Sequence, residues 1–413
     1  MSAVRRPATS LPELEPARGF ELDRRRLLGG LAALGGLGLS GCVSNTALAP
    51  QPLTPGRGDP GLTLAPLRAS AERIFDISVC TRPFRPAGPR LDAEAIGDAL
   101  VVHNYGHGGS GWSLSWGSSA IAVQKALANS PRTIAVIGSG PLGLTSALLA
   151  QSAGLQVTIY AREIVPEMPS LRATGSFTPD SRIALADAVD SGFPDLWEQM
   201  ARTSFHRYGE LLGLPGDPVR WVDRYIVSDL GPLPPRTPIA GELEFAEYGS
   251  RLRDLLPRGE AMPDGTTPFR GFAVRRNSNL MFNLASYADL LVSRFHQAGG
   301  RVERREFHAP GEFAALSEKV VINCTGYGAR ALVGDSTLVP VRGQIAWLIP
   351  QREFDYGVSY QGVNVVPRTD GIAVQAVSGG DMRGYGDEST TPDRAEAEEA
   401  VATLAALYAR FRR

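Results

Sequence analysis

The chain has 413 residues, 43% hydrophobic and 21% charged, with a formal net charge of -1, an ordinary globular composition long enough for two intimately joined domains. That balance, with no Lys/Arg-rich run after the first thirty residues, gives no electrostatic reason for a nucleic-acid partner. Its three cysteines, Cys42, Cys80 and Cys324, lack the paired spacing of a zinc site and are too few for a disulfide framework.

Arg24-Arg25-Arg26-Leu27-Leu28 precedes an apolar run, Leu27 to Ser40, interrupted by five glycines. The run is too short and too glycine-rich for a membrane span, which needs roughly 20 mostly apolar residues. It reads as an export signal of the twin-arginine kind. Leu39-Ser40-Gly41-Cys42 looks like a bacterial lipobox, so a lipid anchor is expected at Cys42, with the protein at the periplasmic face or cell surface. Twin-arginine export carries folded proteins, which suits one that must capture a cofactor before leaving the cytoplasm. Residues 43–70, rich in Pro, Gly, Thr and Leu without a period, read as a tether.

Two motif-bearing stretches follow: Cys80-Thr81-Arg82-Pro83-Phe84-Arg85-Pro86, and the glycine-rich run from His103 to Gly117. His103 and His107 lack a third ligand, so no metal site is expected there. A helix from about Ser118 to Ala128 should run into the strand Thr133 to Ile137. Gly138-Ser139-Gly140-Pro141-Leu142-Gly143 comes next, then a helix from Leu142 to Ser152, a strand from Gln156 to Tyr160, and Glu163 twenty residues after Gly143. This is a complete dinucleotide-binding βαβ unit. Gly138 permits the tight turn, Gly140 lets the backbone approach a pyrophosphate, and Gly143 lets helix and strand pack closely. Pro141 and Leu142 open a helix whose free N–H groups face the anion. FAD and NAD both fit this unit, and Arg162 and Glu163 are both candidates for the adenosine ribose. Thr174, Gly175 and Ser176 are further candidate cofactor contacts.

The middle of the chain reads as a helix, Ala188 to Leu212, a strand, Arg220 to Val227, and a helix, Leu284 to Gln297, with no catalytic constellation. Val320 to Cys324 is an apolar strand ending in a turn with Gly326 and Gly328, where backbone can approach a ligand. Val339 to Ile345 opens a β-rich stretch that contains Tyr360 and Asn364. Thr391-Pro392-Asp393 is a helix start, with Ala397, Val401, Leu404 and Tyr408 recurring on one face.

The segments at 80–86, 103–117, 320–332 and 339–345 resemble D-amino acid oxidases. The resemblance implies an α/β fold, a Rossmann-like FAD-binding domain joined to an α+β substrate domain on a mostly antiparallel sheet, with FAD as cofactor. It assigns residues 131–185 and 280–340 to the FAD-binding domain, and 186–279 and 341–391 to the substrate domain, with a C-terminal helix over 392–413. It implies that Gly108, Gly109, Ser110, Gly111, Trp112 and Ser113 lie against the flavin, with the Ser113 hydroxyl and the helix N-terminus stabilising the reduced ring. Arg82 would clamp the substrate carboxylate, the Gly109 carbonyl would orient the amine, and Tyr360 and Asn364 fall where the family has two substrate-pocket tyrosines. The reaction implied is hydride transfer from an amino acid, most naturally a D-amino acid, to flavin N5, with oxygen or a membrane carrier taking the electrons. A glycine or secondary-amine oxidoreductase and a non-catalytic flavin-binding envelope lipoprotein are the alternatives. The family carries the first two segments at its C-terminal end, whereas here they precede the dinucleotide strand. Residues 71–130 are therefore expected to be circularly permuted, with Arg413 near Ala71.

Overall fold

A computed structural model describes residues 63–229 and 243–411. The export signal, Cys42 and Arg413 lie outside the described residues.

The elements in chain order are β1 (Ile74–Phe84), β2 (Ala93–Ile96), β3 (Ala99–His103), α1 (Gly111–Leu127), β4 (Thr133–Ile137), α2 (Pro141–Ser152), β5 (Gln156–Ala161) and α3 (Phe193–Gly209). Then come β6 (Val219–Ser228), β7 (Glu260–Met262), β8 (Ala273–Phe282), α4 (Leu284–Gln297), β9 (Arg301–Arg304), α5 (Gly311–Ala314), β10 (Val320–Asn323) and α6 (Ala329–Leu332). The chain closes with β11 (Val339–Leu348), β12 (Gly357–Tyr360), β13 (Val363–Arg368), β14 (Gly371–Ala376) and α7 (Arg394–Ala409).

These strands form two sheets. The first has the order β2-β3-β10-β4-β5-β9 and is parallel apart from the edge strand β2. Its inner strands β3, β10, β4 and β5 are buried on both faces, as parallel strands between helical layers must be, and the edge strands β2 and β9 are largely exposed. In β4, Ile134 and Val136 enter the core beneath α1, α2 and α4, while Ala135 and Ile137 enter the opposite core with Phe307, Phe313 and Leu332. The second sheet has the order β1-β11-β14-β13-β12-β6-β8-β7 and is antiparallel except between β12 and β6. The expected pairing of a Rossmann-like domain with a mostly antiparallel sheet is the architecture found.

Three expectations are corrected. The helix after the glycine-rich loop begins at Gly111, seven residues before Ser118. Burial of Trp112, Leu114 and Trp116, and a Gly117 so close to Met200 that an added Cβ would sit 2.2 Å from its carbonyl oxygen, outweigh the weak helix propensity of these residues. The helix expected from Ala188 starts at Phe193, after a turn in which the Asp190 carboxylate accepts from the Gly192 N–H at 2.9 Å. Residues 63–70 are not a free tether. Leu67 is buried, the Ala65 carbonyl accepts from the Tyr356 hydroxyl at 2.7 Å, and the Pro66 carbonyl accepts from Gln351 at 2.8 Å.

The helix expected at the C-terminal end is α7, capped by the Asp393 carboxylate, which accepts from the Glu396 N–H. Its Val401, Leu404 and Leu407 share one core with Leu64, Leu67, Ala69 and Ile74 from the front of the described chain. This seam joins the two ends of the fold through apolar contact. Leu404, fully buried, sits in it, so Leu404→Ala is expected to cost about 2–5 kcal/mol, measured as a lowered urea midpoint with the slope retained.

Candidate active site

The parallel strands end side by side, and their backbones are stitched together there. Asn104 N–H donates to the Asn323 carbonyl at 2.9 Å, Cys324 N–H to that of Ile137 at 2.8 Å, and Gly138 N–H to that of Tyr160 at 2.7 Å. The turns after β3, β10, β4 and β5 therefore open on one crevice, at the carboxyl edge where α/β sheets bind ligands. The loop after β3 is tied across to the second sheet by Gly108 N–H, which donates to the Pro83 carbonyl at 2.8 Å, next to Arg82.

Between the sheets lies a cavity of about 1320 Å³, larger than the roughly 1,000 Å³ upper range of sites for drug-sized ligands. Gly138, Gly140, Pro141, Leu142, Arg162, Glu163, Thr174, Ser176, Gly326, Gly108, Gly109, Gly111 and Trp112 line it together with Arg82 and Asn364. The fingerprint, the flavin-loop motif and the arginine thus converge on one space.

The glycines explain the closeness. Gly138 has φ +106°, and a Cβ there would lie 2.5 Å from the Cys324 carbonyl oxygen. Gly108 has φ +55°, and its Cβ would lie 1.9 Å from the Arg182 carbonyl oxygen. Helices α1 and α2 both start at the cavity without a side-chain cap on their first N–H groups, which suits negative charge on a pyrophosphate or a flavin pyrimidine. A dinucleotide cradle and a second uncapped helix end in one large cavity fit FAD.

Gly143 keeps the packing role expected of it, and four other expected site residues stand elsewhere than predicted. Gly143 does not line the cavity but packs on Gly138, with only 1.9 Å for an added Cβ, the helix-packing role its spacing indicates. Gly175 does not line it either; its φ is +82° and its carbonyl accepts from Phe282 N–H at 2.6 Å, pinning the loop to β8. Ser110 donates to the Ser181 carbonyl at 3.1 Å. The Ser113 hydroxyl accepts from Thr178 N–H at 2.8 Å and is buried, so it braces a loop rather than facing the ring. Tyr360 is the clearest correction. Its hydroxyl donates to Asp229 at 2.7 Å, and its ring packs in the core on the far face of the sheet with Val363 and Val365. Tyr360 and Asn364 flank a two-residue turn, Gln361-Gly362, both with positive φ, and Tyr360 pairs with Val363. A hairpin turn of that length puts residue 364 on the face opposite to 360.

Asn364 does face the cavity, and its amide is oriented. Its Oδ1 accepts from the Arg224 guanidinium and from the Ser359 hydroxyl at 2.7 Å. A guanidinium only donates, so this atom is the oxygen and the NH₂ remains as a donor toward the cavity. Arg82 donates from Nη1 to the Arg342 carbonyl at 3.1 Å, and its guanidinium lies over Gly343, where a Cβ would come within 2.4 Å of Nη1. Arg162 is held by Glu163 at 2.6 Å and Glu306 at 3.0 Å. Arg182 and Arg224 line the cavity as well. No motif marks them, and only the sheet register, unreadable from one sequence, brings Arg224 in.

A family model described as FAD dependent oxidoreductase matches residues 133–413, more than half of the chain. The chain belongs to this FAD-dependent oxidoreductase family. FAD is accordingly its cofactor, and the glycine turns described above are the residues that would hold it. The D-amino-acid oxidase of Dictyostelium discoideum is 27% identical over 281 residues, covering 67% of this chain and 73% of that protein. That of Streptomyces coelicolor is 29% identical over 218 residues, covering 51% of this chain and 58% of its own length. Among solved structures, iminodiacetate oxidase from Chelativorans sp. BNC1 is similar with a TM-score of 0.43 and 13% identity, covering 67% of this chain and 79% of that one.

His107 lines the cavity behind the loop. One ring nitrogen contacts the Ser118 hydroxyl at 2.7 Å, the other has no partner among the described residues, and burial pushes its pKa down to about 3. It is neutral at working pH. The unfolded chain takes up a proton on this ring near pH ~6.5, so stability should fall by about 1.4 kcal/mol per pH unit from there toward the folded-state value. Urea unfolding at pH 7 and pH 5 measures this loss, and His107→Gln is expected to reduce it.

In the site itself, Gly138→Val is expected to abolish stable FAD binding. The flavin-to-protein ratio after gel filtration checks it.

Proposed function

We propose that this oxidoreductase acts on the α-amine of an amino acid, of D configuration, and converts it to the imino acid, which water hydrolyses to an oxo acid and ammonia. The observation that carries the reading is the meeting of Arg82, the 108–112 loop and the Gly138 turn in one cavity. The named relatives' activity on D-amino acids supports it.

FAD, held by the Gly138 turn and the 108–112 loop, would supply a two-electron acceptor for the Cα hydrogen and its electron pair. The chain positions the substrate. Arg82 offers a planar fork to the α-carboxylate, fixed by the Arg342 carbonyl and by the absence of a side chain at Gly343. The Asn364 NH₂ is a second donor on the same sheet face, in the position where the family has its second tyrosine. The Gly109 carbonyl would receive the amine N–H, and that residue is held by its own N–H donating to Ser181 at 2.9 Å. The substrate binds as the neutral amine, its ammonium proton released to solvent, and loss of the Cα hydride leaves an iminium that water hydrolyses to the oxo acid and ammonium. The electrons then pass to dioxygen or a membrane carrier.

Segment 71–130 is proposed to be the family's C-terminal part moved to the front. In support, the family match begins at Thr133, the first residue of β4, while ahead of it β1 is a strand of the second sheet, β3 a strand of the first, and α1 packs in the core beneath the first. The seam between α7 and residues 64–77 gives the closeness of ends that such a rearrangement needs. Export by the twin-arginine route with a lipid at Cys42 is proposed from the sequence, and Cys42→Ser is expected to move the protein from the membrane to the soluble periplasmic fraction on immunoblots.

Anaerobic mixing with D-amino acids should bleach the flavin, while the L enantiomers leave it oxidised. Arg82→Ala should raise KM by about thirtyfold or more, the loss of a charge-assisted pair worth about 2 kcal/mol or more, with bound flavin unchanged. A flavin that no D-amino acid reduces would contradict this reading.

A further inference from the structure

The charges around the cavity do not balance. Seven arginines line it, and five are matched to carboxylates. Arg162 pairs with Glu163 and Glu306, Arg182 with Asp381, Arg305 with Glu312, and Arg342 and Arg383 both reach Glu396. Arg82 and Arg224 have no carboxylate partner among the described residues. Arg82's role is assigned above; Arg224 has none.

Arg224 sits in the middle of β6, an internal strand of the second sheet. Its neighbours Tyr225 and Val227 point into the core on the far face, so alternation turns Arg224 toward the cavity. One terminal nitrogen donates to Asn364. Its Nε is shut off from solvent and has no hydrogen-bond partner among the described residues, and burial pulls its pKa down. An unpaired guanidinium in such a place is costly unless a ligand supplies the anion.

The register gives the spacing. Arg82 lies over Gly343 on β11, and Arg224 reaches Asn364 on β13. Asn364 pairs with Gln375 on β14, and continuing the β11–β14 register sets Gln375 opposite Ile345. Gly343 and Asn364 are thus two strands and two residues apart on one face, about 12 Å. Two charge-assisted contacts of about 2.8 Å each leave roughly 6 Å for the molecule between them. That is the scale of a four- or five-carbon chain with a carboxylate at each end. Gln375, which lines the cavity between the two arginines, adds a neutral polar group and no opposing charge.

We propose that the preferred substrate is a dicarboxylic amino acid, with its α-carboxylate on Arg82 and its side-chain carboxylate on Arg224. The inference rests on the amino-acid-oxidising reading above. It makes Arg224 a specificity residue, and explains why the second pocket tyrosine of the family is an asparagine here: Asn364 is small enough to leave the path open, and its oxygen holds Arg224 in place.

The test is flavin reduction by D-aspartate and D-glutamate against D-asparagine, D-glutamine and D-alanine in the FAD-loaded protein. One or both acids should have a kcat/KM at least tenfold above their amides. Arg224→Gln should lower that acid-to-amide ratio at least tenfold, and Arg224→Lys should restore part of it. Independently of any variant, titration of the wild-type protein with succinate or glutarate should perturb the flavin spectrum at lower concentration than acetate or butyrate does. Efficient reduction by D-alanine or the amides without preference for the acids overturns the dicarboxylate proposal and leaves amino acid oxidation intact. Absence of reduction by every amino acid overturns both.

Discussion

The fold depends on backbone reaching backbone where the parallel strands end. Four consecutive turns can open on one crevice only if no side chain stands between them, and the hydrogen bonds from Asn104 to Asn323, Cys324 to Ile137 and Gly138 to Tyr160 require that closeness. Gly138 and Gly108 occupy conformations with positive φ and face neighbouring carbonyl oxygens at distances that admit no Cβ. The cavity is therefore a consequence of where side chains are missing. Its chemistry comes from what the second sheet projects into that space.

That second sheet works by parity. Residues of one face enter the core under α7, with Tyr225, Val358, Tyr360 and Val365 among them. Residues of the other face, Arg82, Gly343, Asn364, Gln375 and Arg224, look into the cavity. A one-residue slip would exchange the two sets, so the same apolar packing that stabilises the sheet also aims its cationic groups. The seam between α7 and residues 64–77 extends this core around the first strand and holds β1, with Arg82, in its register with β11.

Much of this was legible in the sequence because local rules governed it. The β4–turn–α2–β5 unit is fixed by β-branched residues, glycine spacing and a helix start, and the strand and helix ends fall within a residue of those expected. Helix α4 runs from Leu284 to Gln297, the bounds expected of it. The flavin loop and Arg82 were found by resemblance. What the sequence concealed was decided at a distance. Ser113 was drawn away from the cavity by Thr178, a residue 65 positions on. Tyr360 faces away from the cavity because the two-residue turn Gln361-Gly362 sets it opposite Val363, leaving Asn364 on the other face. Arg224 carried no motif, since its place depends on a chain of four strand pairings. The early start of α1 was set by Trp112, Trp116 and the Gly117–Met200 contact, and not by propensity.

A loop from the front of the chain and a turn from its middle line one cavity and are proposed to enclose the same ligand. Amide hydrogen exchange of the protein with and without bound FAD tests it directly, because a shared ligand restrains the local opening of every segment that touches it. Protection should rise together in peptides spanning 105–113 and 138–142 on FAD binding. Protection confined to 138–142, with 105–113 exchanging at an unchanged rate, would contradict the account.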